Sequence, residues 1–417
     1  MRFLFVHGTG VRHERHEVLT GRIREGIGKV LPGAAVDSPY WGDRFGALAL
    51  PDGRARSVPA RRRPRTPAED PRTPAAAPGA DVPCDPVADE WGLLLVDPLC
   101  ALRLAAETGW EDTGYGPPGA RAAGLGVLEL LRELPPPGEE LVALLDDTGL
   151  SVAYPLALAW ISEAPETARA ARRAEGSGAA REFAGALARA LVAATLAEAG
   201  EEAECSGAER DQLLLLLTAL LGGEARAGAG RKVAGVFGGI AMRLGGQRAL
   251  GMSRGRLTGS SSPFLGDILR YQARGHELRA HLREEIAAHP GPTVLIGHSL
   301  GGIALFDLLA EAAAEGAPLP GVRLLVTVGS QAPYLHEIGA LASLAPGQPL
   351  PAGFPEWLNF FDRQDLLAYL AEPVFPGDAR VRDHELSSGQ PFLPCHSAYW
   401  KLPALYERLA AAVTDGE

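Results

Sequence analysis

Residues 293–309 read TVLIGHSLGGIALFDLL, and this stretch decides the fold. Thr293 to Ile296 form a short apolar, largely β-branched run, which predicts a buried strand. An apolar helical stretch leaves directly from the other end. Between them lies Gly297-His298-Ser299-Leu300-Gly301, a G-x-S-x-G. In a chain with 51 glycines the bare pattern arises by chance about a quarter of a time per chain, so the strand before it and the helix after it carry the reading. A serine on a sharp strand-to-helix turn needs glycines two residues either side, because strand and helix then approach closely. Such a turn presents Ser299 above the sheet. It also places the Leu300 N–H at a helix N-terminus, where it can meet developing negative charge.

Working outward, Arg2 to Val6 predict another short buried strand, followed by His7-Gly8-Thr9-Gly10. Leu19, Ile23, Ile27 and Val30 then share one helical face. A second strand is expected within residues 34–43. C-terminal to the central motif, VRLLVTVGS, WLNFF and ARVRDHEL predict strands, with a last helix near 402–413. Apolar strands alternating with helices imply an α/β fold with a mainly parallel sheet covered on both faces. The core is expected from residues 1–43 and 262–417. Residues 44–261 are read as an insertion rather than an independent domain. Within it, 53–80 is rich in Pro, Arg and Ala and predicts a flexible arm, while about 90–260 is mostly helical.

The net charge of −11 and pI near 5.5 argue against nucleic-acid binding, which needs a clustered basic surface. Cys84, Cys100, Cys205 and Cys395 are widely spread with no C-x-x-C, as in a reducing, cytoplasmic protein. FLFV at 3–6 is too short for a signal peptide, and no apolar run reaches the roughly 18 residues of a membrane span. His7, His13 and His16 lack metal-site spacing, so neither metal nor cofactor is expected.

Gly-His-Ser-Leu-Gly-Gly resembles the nucleophile turn of the α/β-hydrolase superfamily, in its lipase and serine-esterase branch. The resemblance covers under half of the chain. It implies a triad in the order serine, acid, histidine, with a helical cap inserted above the strand ends. A serine hydroxyl needs an imidazole to take its proton and a carboxylate to orient that imidazole. Asp362 and Asp365 follow the strand WLNFF, and relatives place the acid several residues past the strand, which favours Asp365 over Asp362. His396, in a loop before the last helix, is the expected base. His384 is the rival, within a strand-like alternation.

In such hydrolases a second oxyanion donor comes from a His-Gly loop after an early strand, here HGTG. The Thr9 N–H is the expected donor, with Gly8 and Gly10 shaping the loop. His7, Gly10, His298 and Gln331, the last in GSQAPYL, are expected near the substrate pocket. The resemblance implies hydrolysis of a small or lipid-like carboxylic ester, with thioester cleavage or acyl transfer by the same triad as the alternative. A third reading is a binding or regulatory protein on a hydrolase scaffold, recruiting a protein partner through the insertion. The leucine-rich helices also leave open contact with a membrane surface.

Overall fold

Arg2–Val6 form β1, buried along its whole length, as a strand covered on both faces must be. In the computed structural model, which describes residues 1–47, 86–110, 121–134, 137–223, 262–289 and 291–414, it joins a six-stranded sheet. The other strands are β2 (Ala35–Asp37), β3 (Thr293–His298), β4 (Val322–Val328), β5 (Glu356–Asp362) and β6 (Val381–Leu386). Their order is β2-β1-β3-β4-β5-β6, and every neighbouring pair is parallel. The protein is therefore an α/β fold with an all-parallel sheet. β3, which ends in the serine turn, lies at its centre.

Successive side chains of each strand enter opposite covers. Phe3 and Phe5 pack with Leu19, Ile23 and Ile27 of α1 (His13–Val30) and with the C-terminal helix. Leu4, Val6 and Leu295 face the other cover, where the helices at Ser262–Ala287 and Leu300–Ala314 lie. The four predicted positions on α1 share one face, with Leu19, Ile23 and Ile27 buried and Val30 half-buried at the end of the helix.

Between β2 and β3 the chain forms α2 (Gly42–Phe45), then α3 (Pro86–Val96), α4 (Cys100–Thr108), α5 (Gly124–Arg132) and α6 (Glu139–Asp147). There follow α7 (Ala153–Glu163), α8 (Pro165–Arg173), α9 (Ser177–Ala199) and α10 (Gly207–Leu220). The remaining helices are α11 (Ser262–Ala287), α12 (Leu300–Ala314), α13 (Ala332–Glu337), α14 (Pro394–Ala398) and α15 (Pro403–Thr414). The predicted arm at 53–80 lies outside the described residues, as does 224–261.

Helices α3 to α10 bury an apolar cluster of their own around α9, separate from the two clusters that cover the sheet. Expected as part of one fold, the insertion thus holds an internal core. It meets the rest of the chain through polar contacts. Arg22 of α1 binds Glu204, which is 5% exposed, and donates to the Asp147 carbonyl at 2.8 Å. Lys401 donates to the Asp147 carbonyl and to Glu209 Oε1 at 3.0 and 2.8 Å. Arg210, 2% exposed and stacked over Trp91 at 4.6 Å, donates to the Gly389 carbonyl at 2.8 Å. The Gly207 N–H reaches the Ser388 carbonyl at 2.9 Å, so the start of α10 seats against the segment that leads to His396. Buried ions need such partners, since an unpaired charge there costs several kcal/mol.

Candidate active site

β3 ends at His298, and α12 begins at Leu300. Ser299 between them has φ 50° and ψ −120°, and it is the only non-glycine with positive φ among the described residues. That conformation costs about 1–3 kcal/mol and persists only where the surroundings over-determine it. Here the Ser299 N–H donates to the Val328 carbonyl at 3.0 Å. Its own carbonyl accepts from Gly302 N–H at 3.0 Å and from Ser330 Oγ at 3.1 Å. The glycines are required sterically: a Cβ on Gly301 would strike the Val6 carbonyl, and one on Gly297 would come 2.5 Å from Gly302 Cα. The serine is 2% exposed.

His396 lies in the short helix α14, not in the loop expected, and its Nδ1 lies 2.8 Å from Asp365 Oδ2. Its Nε2 is buried and has no hydrogen-bond partner among the described residues. Burial works to raise the Asp365 carboxyl, but the His396 charge and the bonds from His396, Leu367 N–H and Tyr399 OH outweigh it and hold it below its ordinary value. The carboxylate is therefore ionised and acceptor-only, so His396 Nδ1 is the donor in their hydrogen bond.

The two aspartates separate cleanly. Asp362, the last residue of β5, accepts from Ser388 N–H and Oγ, both at 2.7 Å, and from Gln364 N–H at 2.9 Å. It ties the start of the His396 segment to the sheet. His384 sits in β6 against Phe360, half-buried, and burial lowers its pKa.

His298 donates from Nε2 to the His396 carbonyl at 2.8 Å, and the two rings lie 4.8 Å apart. Burial, followed by the neighbouring His396, pushes its pKa down to about 3, so it is a neutral donor. His298 thus holds the His396 backbone beside the serine. His7 is fully buried, stacked on Trp41 at 4.6 Å and bonded through Nδ1 to the Gly8 carbonyl at 2.9 Å. The flat apolar partner, Trp41, lies beyond β2, and local pattern did not reveal the stack. His16 and Ser38 pair at 2.7 Å. Among the described residues no group of three or more His, Cys, Asp or Glu is arranged to hold a metal ion.

The HGTG loop does meet the serine. A Cβ on Gly8 would lie 3.0 Å from Ser299 Cβ and 3.1 Å from His298 Nδ1, so only glycine seats here without displacing a neighbour. The Gly10 N–H is occupied by Asp267 Oδ2 at 2.8 Å. Thr9 N–H has no acceptor among the described hydrogen bonds, and Leu300, first in its helix, has no preceding turn to accept its N–H. Gln331 is half-buried at the N-cap of α13, its Nε2 3.5 Å from the Gly329 carbonyl.

No family model matches this chain, and no curated protein or solved structure matches it.

Tyr399 was not singled out from the sequence, although it stands one helical turn after His396. Its hydroxyl donates to Asp365 Oδ2 at 2.8 Å and accepts from Asp362 N–H at 2.9 Å, joining the acid to the end of β5. Asp267 left no local signal at all, because its partners are 220 and 257 positions away.

Proposed function

We propose that the protein is a serine hydrolase of α/β-hydrolase type that cleaves carboxylic esters with an apolar portion, its helical insertion acting as a cap. The observation that carries this reading is the strained Ser299 at the head of α12, next in sequence to His298, whose ring holds the backbone of a histidine already bonded to a buried carboxylate. A serine kept at positive φ has no structural benefit that glycine would not supply at less strain.

In this mechanism His396 Nε2 takes the proton from Ser299 Oγ as the oxygen attacks the ester carbonyl. Asp365 stabilises the imidazolium that forms. The carbonyl oxygen, now negative, is met by the Thr9 and Leu300 N–H groups, for which no acceptor is seen among the described residues. His396 returns its proton to the departing alkoxide, leaving an acyl-serine. Water attacks that acyl group, giving its proton to His396 and releasing the acid when Ser299 is reprotonated. Apolar side chains support the substrate class: Tyr334, Ile338, Leu366, Leu370 and Leu393 are exposed on segments that follow β4 and β5 or precede His396.

The test is covalent labelling with a fluorophosphonate probe together with hydrolysis of short and medium p-nitrophenyl esters. Wild-type protein labels and turns over, and Ser299→Ala does neither. Persistent labelling of Ser299→Ala, or an inert wild type, overturns the assignment.

A further inference from the structure

Asp267 is 1% exposed, yet it carries a carboxylate that no step of the proposed chemistry uses. It stands near the start of α11, where the chain returns from the insertion, and it grips three groups. Its Oδ2 accepts from the Gly10 N–H at 2.8 Å, its Oδ1 accepts from the Ala47 N–H at 2.5 Å, and Arg12 Nη1 lies 3.5 Å away. Arg12 extends the link through Nη2 to the Ala47 carbonyl at 3.5 Å. One turn on, Arg270 donates to the Gly46 and Arg44 carbonyls at 2.6 and 3.0 Å. The approach is close enough that a Cβ on Gly46 would come 2.9 Å from Asp267 Oδ1, and one on Gly266 2.6 Å from Ala47 Cβ.

Three segments far apart in sequence therefore converge on one carboxylate: the loop after β1, the chain leaving for the insertion and the chain returning from it. The loop after β1 holds Gly8 against Ser299, and the Gly10 N–H is the one donor there that Asp267 engages. A buried carboxylate is tolerated when its lone pairs are filled and a cation is near, as here. Its geometric effect is to fix the peptide that follows Thr9.

We propose that Asp267 is a positioning residue for the oxyanion loop: by clamping Gly10 to the two stems of the insertion, it sets the Thr9 N–H against Ser299. This rests on the hydrolase reading for its catalytic consequence, though not for the clamp itself. A misplaced oxyanion donor removes transition-state stabilisation while leaving ground-state binding nearly intact.

The experiment compares wild type, Asp267→Ala, Asp267→Asn and Arg12→Met. Each is assayed with a p-nitrophenyl ester, with an alkyl boronic acid that forms a tetrahedral adduct on serine, and by amide hydrogen exchange of the peptide covering residues 8–11. Asp267→Ala is expected to lower kcat about 10- to 100-fold with KM within about twofold. The boronic acid Ki should rise by the same factor, and exchange across 8–11 should accelerate at least about tenfold as Gly10 loses its acceptor. Asp267→Asn keeps one acceptor oxygen and is expected to recover most of kcat. Arg12→Met leaves both N–H bonds in place and is expected to keep kcat, KM and the boronic acid Ki near wild type, which separates the clamp from the charge beside it. Unchanged exchange at 8–11 in Asp267→Ala, or faster exchange with wild-type kcat and Ki, overturns the proposal. If Asp267→Ala does not fold, Asp267→Asn decides: its neutral amide oxygen accepts more weakly than the carboxylate, so exchange across 8–11 should still accelerate, and wild-type exchange there overturns the proposal. An inert wild type refutes the hydrolase reading instead, while the exchange data still decide the clamp.

Discussion

Acidification to pH 5 should cost this protein about 4 kcal/mol through two histidines alone. His7 and His298 are buried, and burial pushes each from an ordinary 6.5 down to about 3. His16, Arg12 and His298 face His7 and add to the depression. His396 and Arg15 do the same at His298, with Asp365 opposing them. The unfolded chain takes up both protons near pH 6.5, whereas the folded chain takes up neither until about pH 3. Between those values the unfolded state binds more protons, so stability falls as pH drops through that window. At pH 5 each histidine lies about 1.5 units inside it, worth about 2 kcal/mol. Two such losses are a large share of a typical folding free energy of about 5–15 kcal/mol.

The assay is urea unfolding at pH 7.5 and 5.0 for wild type, His298→Gln and His7→Asn. Glutamine can present its amide N–H where His298 Nε2 donates, and asparagine can replace the His7 Nδ1 donor, so each variant removes the titration and retains the key bond. Each single variant should lose about 2 kcal/mol less than wild type between the two pH values. Equal losses in all three proteins would refute the assignment of buried, neutral rings. Asp365 does not confuse the result, because its depressed carboxyl contributes above its ordinary 3.8 and loses that contribution only as pH falls further.

Ser299→Gly and Ser299→Ala should both abolish probe labelling, but the glycine variant should be more stable than the alanine variant by about 1 kcal/mol, because alanine retains the Cβ strain at φ 50°. Thermal unfolding measures the difference, and an alanine variant as stable as the glycine one contradicts the strain. Tyr399→Phe removes a donor from Asp365 and the acceptor of Asp362 N–H, which at about 1–2 kcal/mol corresponds to a roughly 5- to 30-fold lower kcat with unchanged KM. Steady-state kinetics decide it, and a change confined to KM would count against a role at the acid.

The parallel α/β core and the strand-turn-helix at Ser299 were legible in the sequence. Each is written in local periodicity and in glycines that local sterics demand. Asp365, bonded to His396, and Asp362, bonded to Ser388, could be ranked but not separated, since three positions along one loop decide which carboxylate faces the imidazole. The internal core of the insertion was less evident, because apolar periodicity marks a buried face without naming its partner. The packing of His7 was not foreseen, and Asp267 and Tyr399 were overlooked, for a related reason. Their roles are set by Trp41, Gly10 and Asp362, partners brought together only when the chain closes.

That closure has a consequence for synthesis. β1 pairs with β3 from Arg2 opposite Thr293, about 290 residues later, so the first strand waits about 15–60 s at ordinary translation rates for the neighbour that completes its pairing. During that interval Phe3 and Phe5 have only α1 and the β2 edge for cover, while the insertion, whose apolar contacts are internal, can finish its own core on the ribosome. The strand that delivers the HGTG loop is thus made long before the partner strand that secures it.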